Sequence, residues 1–174
     1  MNVKERLKMK KGSKFNYKNI LFAFGVIAAV VVIVYLQNKP EDSNNNTIKA
    51  ETVKDSDIII PISSVSETAT YYPAEINGTQ LEVIAVKAPD GTIRTAFNTC
   101  QVCYSSGRGY YIQEDDVLVC QNCGNRFAMD DVEVTRGGCN PVPITTDYKT
   151  VDTDNITVSK DFLEQATVIF QNWK

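Results

Sequence analysis

The sequence predicts a small α+β domain, mostly β with a C-terminal helix, preceded by one N-terminal transmembrane helix. Three observations support this fold class: a charge-free apolar run near the N-terminus, short β-branched segments separated by turn residues, and one amphipathic stretch near the C-terminus. The chain has 174 residues, which suffices for one modest domain with additional segments. Its hydrophobic content of 43% is enough for a packed core.

The N-terminal part of the chain has the pattern of a membrane anchor. Residues 1–19 form a basic segment with a net charge of +6, whereas the rest of the chain carries −9. Residues 20–36 contain no charged side chain, and a helix of this length would be about 25 Å long, just enough for a bilayer core. Bulky residues follow this run, which disfavours a cleaved signal peptide. The positive-inside rule then keeps the N-terminus cytoplasmic and exports everything after Leu36.

A polar segment separates the predicted anchor from the predicted domain. Residues 37–57 include Pro40 and the run of three asparagines from Asn44, with few apolar side chains to bury. Such a composition does not offset the entropy of ordering, so we expect a flexible linker. Residues 58–174 remain for an extracytoplasmic domain of ordinary size.

Strand patterns dominate the first half of this domain. Alternating or β-branched segments predict strands over residues 58–62, 71–76, 81–87, 92–97, 109–112, 117–119 and, near the end, 155–158. Asn77-Gly78 is a strong hairpin signal, and residues 81–87 are apolar on both faces, as a central strand would be. An amphipathic helix is predicted over residues 161–170, with Ser159 or Asp161 as its N-cap.

The composition excludes several functions. The chain has no histidine, so Ser-His and Cys-His catalysis, a Rieske histidine pair and CxxCH haem attachment are all impossible. A net charge of −3 without a basic groove-reading motif argues against a nucleic-acid partner. The sequence also lacks a catalytic carboxylate frame and a phosphate-binding glycine loop. A binding or redox protein is therefore favoured over an enzyme.

Five cysteines carry the remaining chemistry. They are Cys100 and Cys103 in one CxxC motif, Cys120 and Cys123 in a second, and Cys139. The two motifs are separated by 16 residues and each follows a predicted strand, which favours a four-sulfur metal site built from two zinc-ribbon-like or Rieske-like knuckles. The sequence leaves Cys139 three roles: a fifth ligand, a replacement for one of the four, or a free thiol beside the site.

Several alternatives stay open for these cysteines. Two disulfides would suit an exported domain, although an odd number of cysteines prevents complete pairing. A thiol oxidoreductase of thioredoxin type would need a βαβ context that the sequence does not show. The four sulfurs suit a [2Fe–2S] cluster, mononuclear iron, zinc or copper, and their spacing does not discriminate among these. Zinc or disulfides would make the domain a structurally stabilised interaction module. The neighbouring Tyr110 and Tyr111 are expected to be packing residues rather than a shield for a cluster.

The cysteine motifs also carry a family resemblance. The matching segments are residues 86–91, 96–104, 109–110, 119–127 and 137–144. On these segments, residues 71–144 resemble the bacterial FtrD-like family of membrane iron–sulfur proteins, and all five cysteines fall on the pattern. The resemblance implies an iron–sulfur or related metal centre linked to a membrane iron permease or other transporter components. Residues 120–127 also resemble the second half of a Rieske motif with cysteine in place of histidine, which implies a lower reduction potential.

Overall fold

The computed structural model describes residues 47–174. The predicted basic segment over residues 1–19, the predicted transmembrane helix over residues 20–36 and the first half of the predicted linker lie outside the described residues. Within residues 47–174, no helix has both the length and the apolar character needed to cross a membrane.

Short strands and one helix make up this part of the chain. The strands are β1 (Ile48–Lys49), β2 (Val53–Lys54), β3 (Ile58–Pro61), β4 (Thr70–Ile76), β5 (Thr79–Lys87), β6 (Ile93–Cys100), β7 (Tyr111–Glu114), β8 (Val117–Cys120), β9 (Arg126–Ala128), β10 (Pro141–Pro143), β11 (Thr150–Val151) and β12 (Asn155–Val158). The helix α1 spans Lys160–Ala166 and continues as a 3-10 turn over Thr167–Ile169. Two further 3-10 turns span Ile62–Ser64 and Met129–Asp131.

The largest sheet has the order β1-β4-β5-β6-β10, and β2 also pairs with β4. Strands β4, β5 and β6 form an antiparallel meander, whereas β1 and β2 run parallel to β4. At the hairpin between β4 and β5, Asn77 and Gly78 both have positive φ angles, 49° and 79°, as the Asn-Gly pair predicts. Six consecutive residues of β5 are buried, which confirms its central position.

The main hydrophobic core lies between this sheet, the three-stranded sheet β11-β12-β3 and the C-terminal segment. Helix α1 begins at Ser159, whose hydroxyl accepts a hydrogen bond from the Phe162 amide at 3.3 Å. The helix buries Leu163 against the core. Aromatic rings complete the packing, with the centroids of Phe170 and Trp173 at 5.0 Å in an edge-on arrangement.

A second hydrophobic core surrounds the cysteines, next to the sheet β7-β8-β9. Its buried members are Ala69, Tyr71, Ile84, Val86, Ala96, Cys100, Cys103, Tyr111, Leu118, Cys120, Phe127, Met129 and Val132. Alternation along β5 divides the two cores, because Ile84 and Val86 face the cysteines while Val83 and Ala85 face the main core. The central strand thus supports the fold on one face and the cysteine region on the other.

The predicted strands and the C-terminal helix are confirmed, with bounds that shift by a few residues. The α-helical part ends at Ala166 rather than at residue 170, because the last turn tightens to 3-10 geometry.

The linker predicted over residues 37–57 needs a correction. Strands β1 and β2 fall within it, since the exposed edge of β4 offers backbone partners and Val53 packs against the main core.

A buried polar path crosses from the large sheet to the cysteine region. Glu82 on β5 is 3% exposed, and its carboxylate lies 3.1 Å from the Lys49 ammonium group. Asn98 on β6 donates to Glu82 at 2.8 Å and accepts a hydrogen bond from the backbone amide of Tyr111 at 2.7 Å. One side chain amide therefore satisfies a buried carboxylate and fixes the start of β7.

Replacing Asn98 tests this path. We expect Asn98→Ala to lower the free energy of unfolding by about 1–3 kcal/mol, because the buried Tyr111 amide loses its acceptor and the buried Glu82 carboxylate loses one of its donors. Urea denaturation of the full-length chain in detergent, followed by the fluorescence of its single tryptophan, measures the change. Gln165→Ala on the exposed face of α1 is the control, with an expected effect below about 0.5 kcal/mol. Equal effects of the two substitutions would contradict the prediction.

Candidate metal centre

The first cysteine knuckle begins where β6 ends at Cys100. The Cys100 carbonyl accepts a hydrogen bond from the Tyr104 amide at 3.0 Å, and the Cys103 amide points at the Cys100 Sγ atom at 3.3 Å. The chain then returns so that the Gly109 carbonyl accepts from the Cys100 amide at 2.7 Å. A Cβ atom at position 109 would collide with the Cys103 carbonyl and lie 2.8 Å from the Tyr104 Cα atom, so only glycine fits this close return.

The second knuckle repeats this arrangement at the end of β8. The Cys120 carbonyl accepts from the Gly124 amide at 2.8 Å, and the Cys120 amide donates to the Asn125 carbonyl at 2.9 Å. Gly124 has a φ angle of +72° with open space around a Cβ position, so backbone conformation rather than crowding favours glycine here. The Gln121 amide donates to the Tyr110 carbonyl at 2.8 Å, which ties this knuckle to the start of β7.

Strand pairing brings Cys139 to the same place. Strand β10 is antiparallel to β6, with Pro141 opposite Cys100 and a bulge between Pro141 and Val142. Cys139 stands two residues before Pro141 and is therefore carried next to Cys100. The Asn125 side chain amide donates to the Cys139 carbonyl at 2.8 Å, so the incoming loop is bound to the second knuckle as well.

The five sulfurs converge at the junction of these loops. The Sγ atoms of Cys100, Cys103, Cys120 and Cys139 all lie within 4.8 Å of one another. The Cys123 Sγ atom lies 3.0 Å from that of Cys139, and the Cys139 Sγ atom lies 3.3 Å from that of Cys100. All five cysteines are free. The fourth member of the mutual group is thus Cys139. Cys123, expected from the CxxC spacing to be the fourth ligand, lies outside that group and has Cys139, Cys120 and Cys103 as its sulfur neighbours.

The five cysteines differ in their exposure to solvent. Cys100, Cys120 and Cys103 are 0%, 1% and 8% exposed. Cys139 is half-buried and Cys123 is exposed. The first knuckle also presents two exposed apolar side chains, Val102 at 63% and Tyr104 at 39% exposure. The site therefore has a dry interior and one accessible edge.

The donor set fits a thiophilic metal. A tetrahedral four-thiolate site with metal–sulfur distances of about 2.3 Å places its sulfurs about 3.8 Å apart, which the mutual limit of 4.8 Å accommodates. Thiol-only donors suit an iron–sulfur cluster, zinc or copper(I), and do not suit calcium or magnesium, which require oxygen ligands. The prediction of a sulfur-rich metal site is thereby compatible with the geometry.

Hydrogen bonds favour the thiolate form of two of the cysteines. Burial alone would raise the pKa of Cys100, but hydrogen bonds from the Tyr111 hydroxyl and from two backbone amides lower it overall. The Cys139 thiol and the Asn125 backbone amide donate toward Cys123 and lower its pKa to about 7. The thiolate form that a metal requires is therefore favoured at both sulfurs, and at Cys123 it forms near neutral pH.

The other two perturbed cysteines resist deprotonation. Burial raises the pKa of Cys103 to about 11 and also raises the pKa of Cys139. A metal binds thiolates, so loading the site must release protons from these thiols. The affinity for metal should consequently fall as the pH falls.

Tyr111 connects the polar path to the sulfurs. Its side chain is fully buried, and its hydroxyl lies 3.6 Å from the Cys139 Sγ atom. Burial raises the pKa of this phenol, so the hydroxyl stays protonated and can donate to a thiolate. The sequence predicts only packing for this residue, since nothing in Tyr110-Tyr111 indicates which hydroxyl reaches sulfur. The burial is confirmed, and the contact with sulfur is an addition from the structure.

The fold and the site together define a domain with a cysteine cluster whose geometry is compatible with metal binding. A family model described as "Membrane iron-sulfur containing protein FtrD-like" matches residues 64–170, which is more than half of the chain and includes all five cysteines. The chain therefore belongs to the FtrD-like family of membrane iron–sulfur proteins. The resemblance seen in the sequence is confirmed. No curated protein matches the chain. No solved structure matches it either.

The close return at Gly109 can be tested by metal content. We expect Gly109→Ala to lose most of the bound metal, because the new Cβ atom must displace the backbone of the first knuckle. Gly91→Ala is the matched control: it costs about 1–2 kcal/mol through its left-handed backbone, yet it lies in open space in the turn before β6. Metal per chain, measured by mass spectrometry after purification, should fall only in the first variant. Equal losses would show that general destabilisation is responsible.

The lowered pKa of Cys123 predicts a pH dependence. A thiolate reacts with iodoacetamide and a thiol does not, so the labelling rate should rise with pH and reach half its maximum near pH 7 at Cys123. Cys103, with a pKa of about 11, should react only in much more alkaline solution. Peptide mass spectrometry of the metal-free, reduced chain measures both rates. A midpoint for Cys123 at the ordinary value of about 8.5 would contradict the prediction.

Proposed function

We propose that this protein is a membrane-anchored electron carrier that works outside the cytoplasm for an iron-transport system. The observation that supports this most directly is the convergence of all five cysteines in a member of an iron–sulfur family. A bound iron–sulfur cluster supplies reversible one-electron chemistry. The predicted helix over residues 20–36 would anchor the domain beside its partner, for which a membrane iron permease is the best candidate.

The proposed ligands are four of the five cysteines. Cys100, Cys103 and Cys120 supply the buried thiolates, and Cys139, which completes the mutual group of four, supplies the fourth. A [2Fe–2S] cluster held by cysteines requires four thiolates, which this set provides. The sequence has no histidine, so a [2Fe–2S] cluster with two histidine ligands is excluded and the all-cysteine type remains. An all-cysteine cluster has a lower reduction potential than one with two histidines.

The protein around these sulfurs is suited to control a redox centre. The second hydrophobic core excludes water from Cys100 and Cys120, which strengthens every electrostatic interaction there. The Tyr111 hydroxyl and the backbone amides of the first knuckle donate toward sulfur, and such hydrogen bonds raise the potential of a cluster relative to bare thiolates. These residues would set the potential rather than carry the electron.

The accessible edge gives a redox partner a place to approach. Cys123 is exposed there, and the first knuckle adds the exposed apolar side chains of Val102 and Tyr104. Electron-transfer encounters are typically weak and use small interfaces. Partner access would be at this edge, because Cys123 is exposed whereas Cys100, Cys103 and Cys120 are buried in the second core.

A structural zinc site is a second candidate, and one observation favours it. Three of the cysteines belong to the second hydrophobic core, which joins the end of β6 to the sheet β7-β8-β9. A zinc ion there would cross-link these elements and stabilise the domain without redox chemistry. A third candidate function, the delivery of metal to a transporter, would use the same cysteine ligands.

Metal analysis of the full-length chain, purified in detergent under argon, separates these candidates. We expect iron and acid-labile sulfide in equal amounts, and a paramagnetic resonance signal after reduction with dithionite, because a [2Fe–2S] cluster becomes paramagnetic when it gains one electron. Cys120→Ser should lose both, whereas Ser105→Ala in the exposed part of the first knuckle should retain them. Colourless protein with stoichiometric zinc would exclude electron transfer and support the structural site.

The link to iron transport needs a cellular measurement. Cells that contain the wild-type chain should take up more radioactive iron than cells with Cys120→Ser, with Ser105→Ala again as the control. Equal uptake by all three, with a cluster present in the purified protein, would refute the proposed partner while leaving the redox centre intact.

A further inference from the structure

The site contains one more sulfur than a four-ligand centre uses. Cys139 lies between two others, with its Sγ atom 3.3 Å from that of Cys100 and 3.0 Å from that of Cys123. It belongs to the mutual group of four, and Cys123 adjoins that group. The pair Cys123–Cys139 therefore consists of one sulfur inside the group and one outside it.

Exposure differs sharply between this pair and the remaining cysteines. Cys123 is exposed and Cys139 is half-buried, whereas the other three are at most 8% exposed. A reagent from solvent meets Cys123 first, and the resulting intermediate has Cys139 within reach. The buried pair Cys100–Cys103 is less favourable for disulfide formation. Cys100 is fully buried, and its sulfur receives a hydrogen bond from the Cys103 amide.

The loop that carries Cys139 can make the small movement needed for a bond. A disulfide has an S–S distance of about 2.05 Å, so the two sulfurs must approach each other by about 1 Å. Gly137 and Gly138 precede Cys139, both with positive φ and with open space around a Cβ position. Two consecutive glycines give this loop the backbone freedom to follow.

We propose that Cys123 and Cys139 form a reversible dithiol–disulfide pair that controls whether the centre has its fourth ligand. In the reduced state Cys139 completes the four-sulfur group. In the oxidised state its sulfur is bonded to Cys123, and three thiols remain. The regulatory consequence rests on the proposed function, since it requires that the site hold a metal; the thiol chemistry itself does not.

The oxidant is a disulfide of the low-molecular-mass or protein type, and the reaction is thiol–disulfide exchange. The Cys123 thiolate attacks one sulfur of the incoming disulfide, which forms a mixed disulfide and releases one thiolate. The Cys139 thiolate then attacks the Cys123 sulfur, which forms the Cys123–Cys139 bond and releases the second thiolate. Two electrons pass from the cysteine pair to the oxidant, and the two protons end on the two released thiols.

Disulfide mapping tests the thiol chemistry without metal. The full-length, metal-free chain in detergent is reduced, treated with oxidised glutathione and digested for mass spectrometry. We expect the Cys123–Cys139 peptide to be the main cross-link, with Cys123→Ser leaving Cys139 unlinked. A predominant Cys100–Cys103, Cys120–Cys123 or Cys100–Cys139 cross-link would overturn the proposal.

Zinc retention tests the regulatory consequence, since zinc does not itself change oxidation state. The chain is loaded with zinc, treated with oxidised glutathione and assayed for released metal with a chromogenic chelator. The wild type should lose most of its zinc and regain it after reduction with dithiothreitol. Cys123→Ser keeps the mutual group of four and should retain its zinc. Equal release of zinc from the wild type and from Cys123→Ser would overturn the proposed control of metal binding by the Cys123–Cys139 pair.

The two measurements fail in distinguishable ways. A chain that forms the Cys123–Cys139 bond but binds neither iron nor zinc would refute the proposed function and the regulatory role while leaving the thiol pair. A chain that binds metal but forms a different cross-link would refute the pair and leave the proposed function. Tryptophan fluorescence of Cys123→Ser shows whether that variant is folded, and Cys139→Ser provides a second variant in which the cross-link must be absent.

Discussion

The antiparallel pairing of β10 with β6 is the constraint on which the cysteine site depends. Strand β6 ends at Cys100, and the register places Pro141 opposite that residue, so Cys139 arrives beside the first knuckle without any local motif to direct it. The second knuckle arrives through the β7–β8 hairpin, which pairs Tyr111 with Cys120. Three distant segments of the chain thus meet because backbone ladders, rather than the sulfurs, hold them there.

Fold and site are also coupled through buried polar groups. Glu82 on the central strand is satisfied by Asn98, and Asn98 in turn holds the backbone of Tyr111, whose hydroxyl reaches the sulfurs. Such a network is stabilising only when all its members are satisfied. The same residues therefore contribute to the stability of the sheet and to the electrostatics of the cysteine site.

Local patterns in the sequence were sufficient for the long strands, the Asn77-Gly78 hairpin and the Ser159 cap, because each depends on neighbouring residues. Strands of two or three residues, such as β1 and β10, gave no pattern, since their partners lie far away in the chain. The two CxxC motifs predicted that Cys100, Cys103 and Cys120 come together. The place of Cys139 inside the mutual group required the register of β10 on β6, which the sequence does not encode locally.

The short strands β1 and β2 are held to the large sheet by few backbone pairings. Each pairs only two residues with β4, and most of their side chains are exposed, so they belong to the part of the structure that opens most easily. Peeling residues 47–54 from the sheet would add about 25 Å of extended chain. The Lys49–Glu82 ion pair would break, while both cysteine knuckles would keep their ladders. Opening of residues 47–54 would thus leave in place the backbone pairings that hold the sulfurs together.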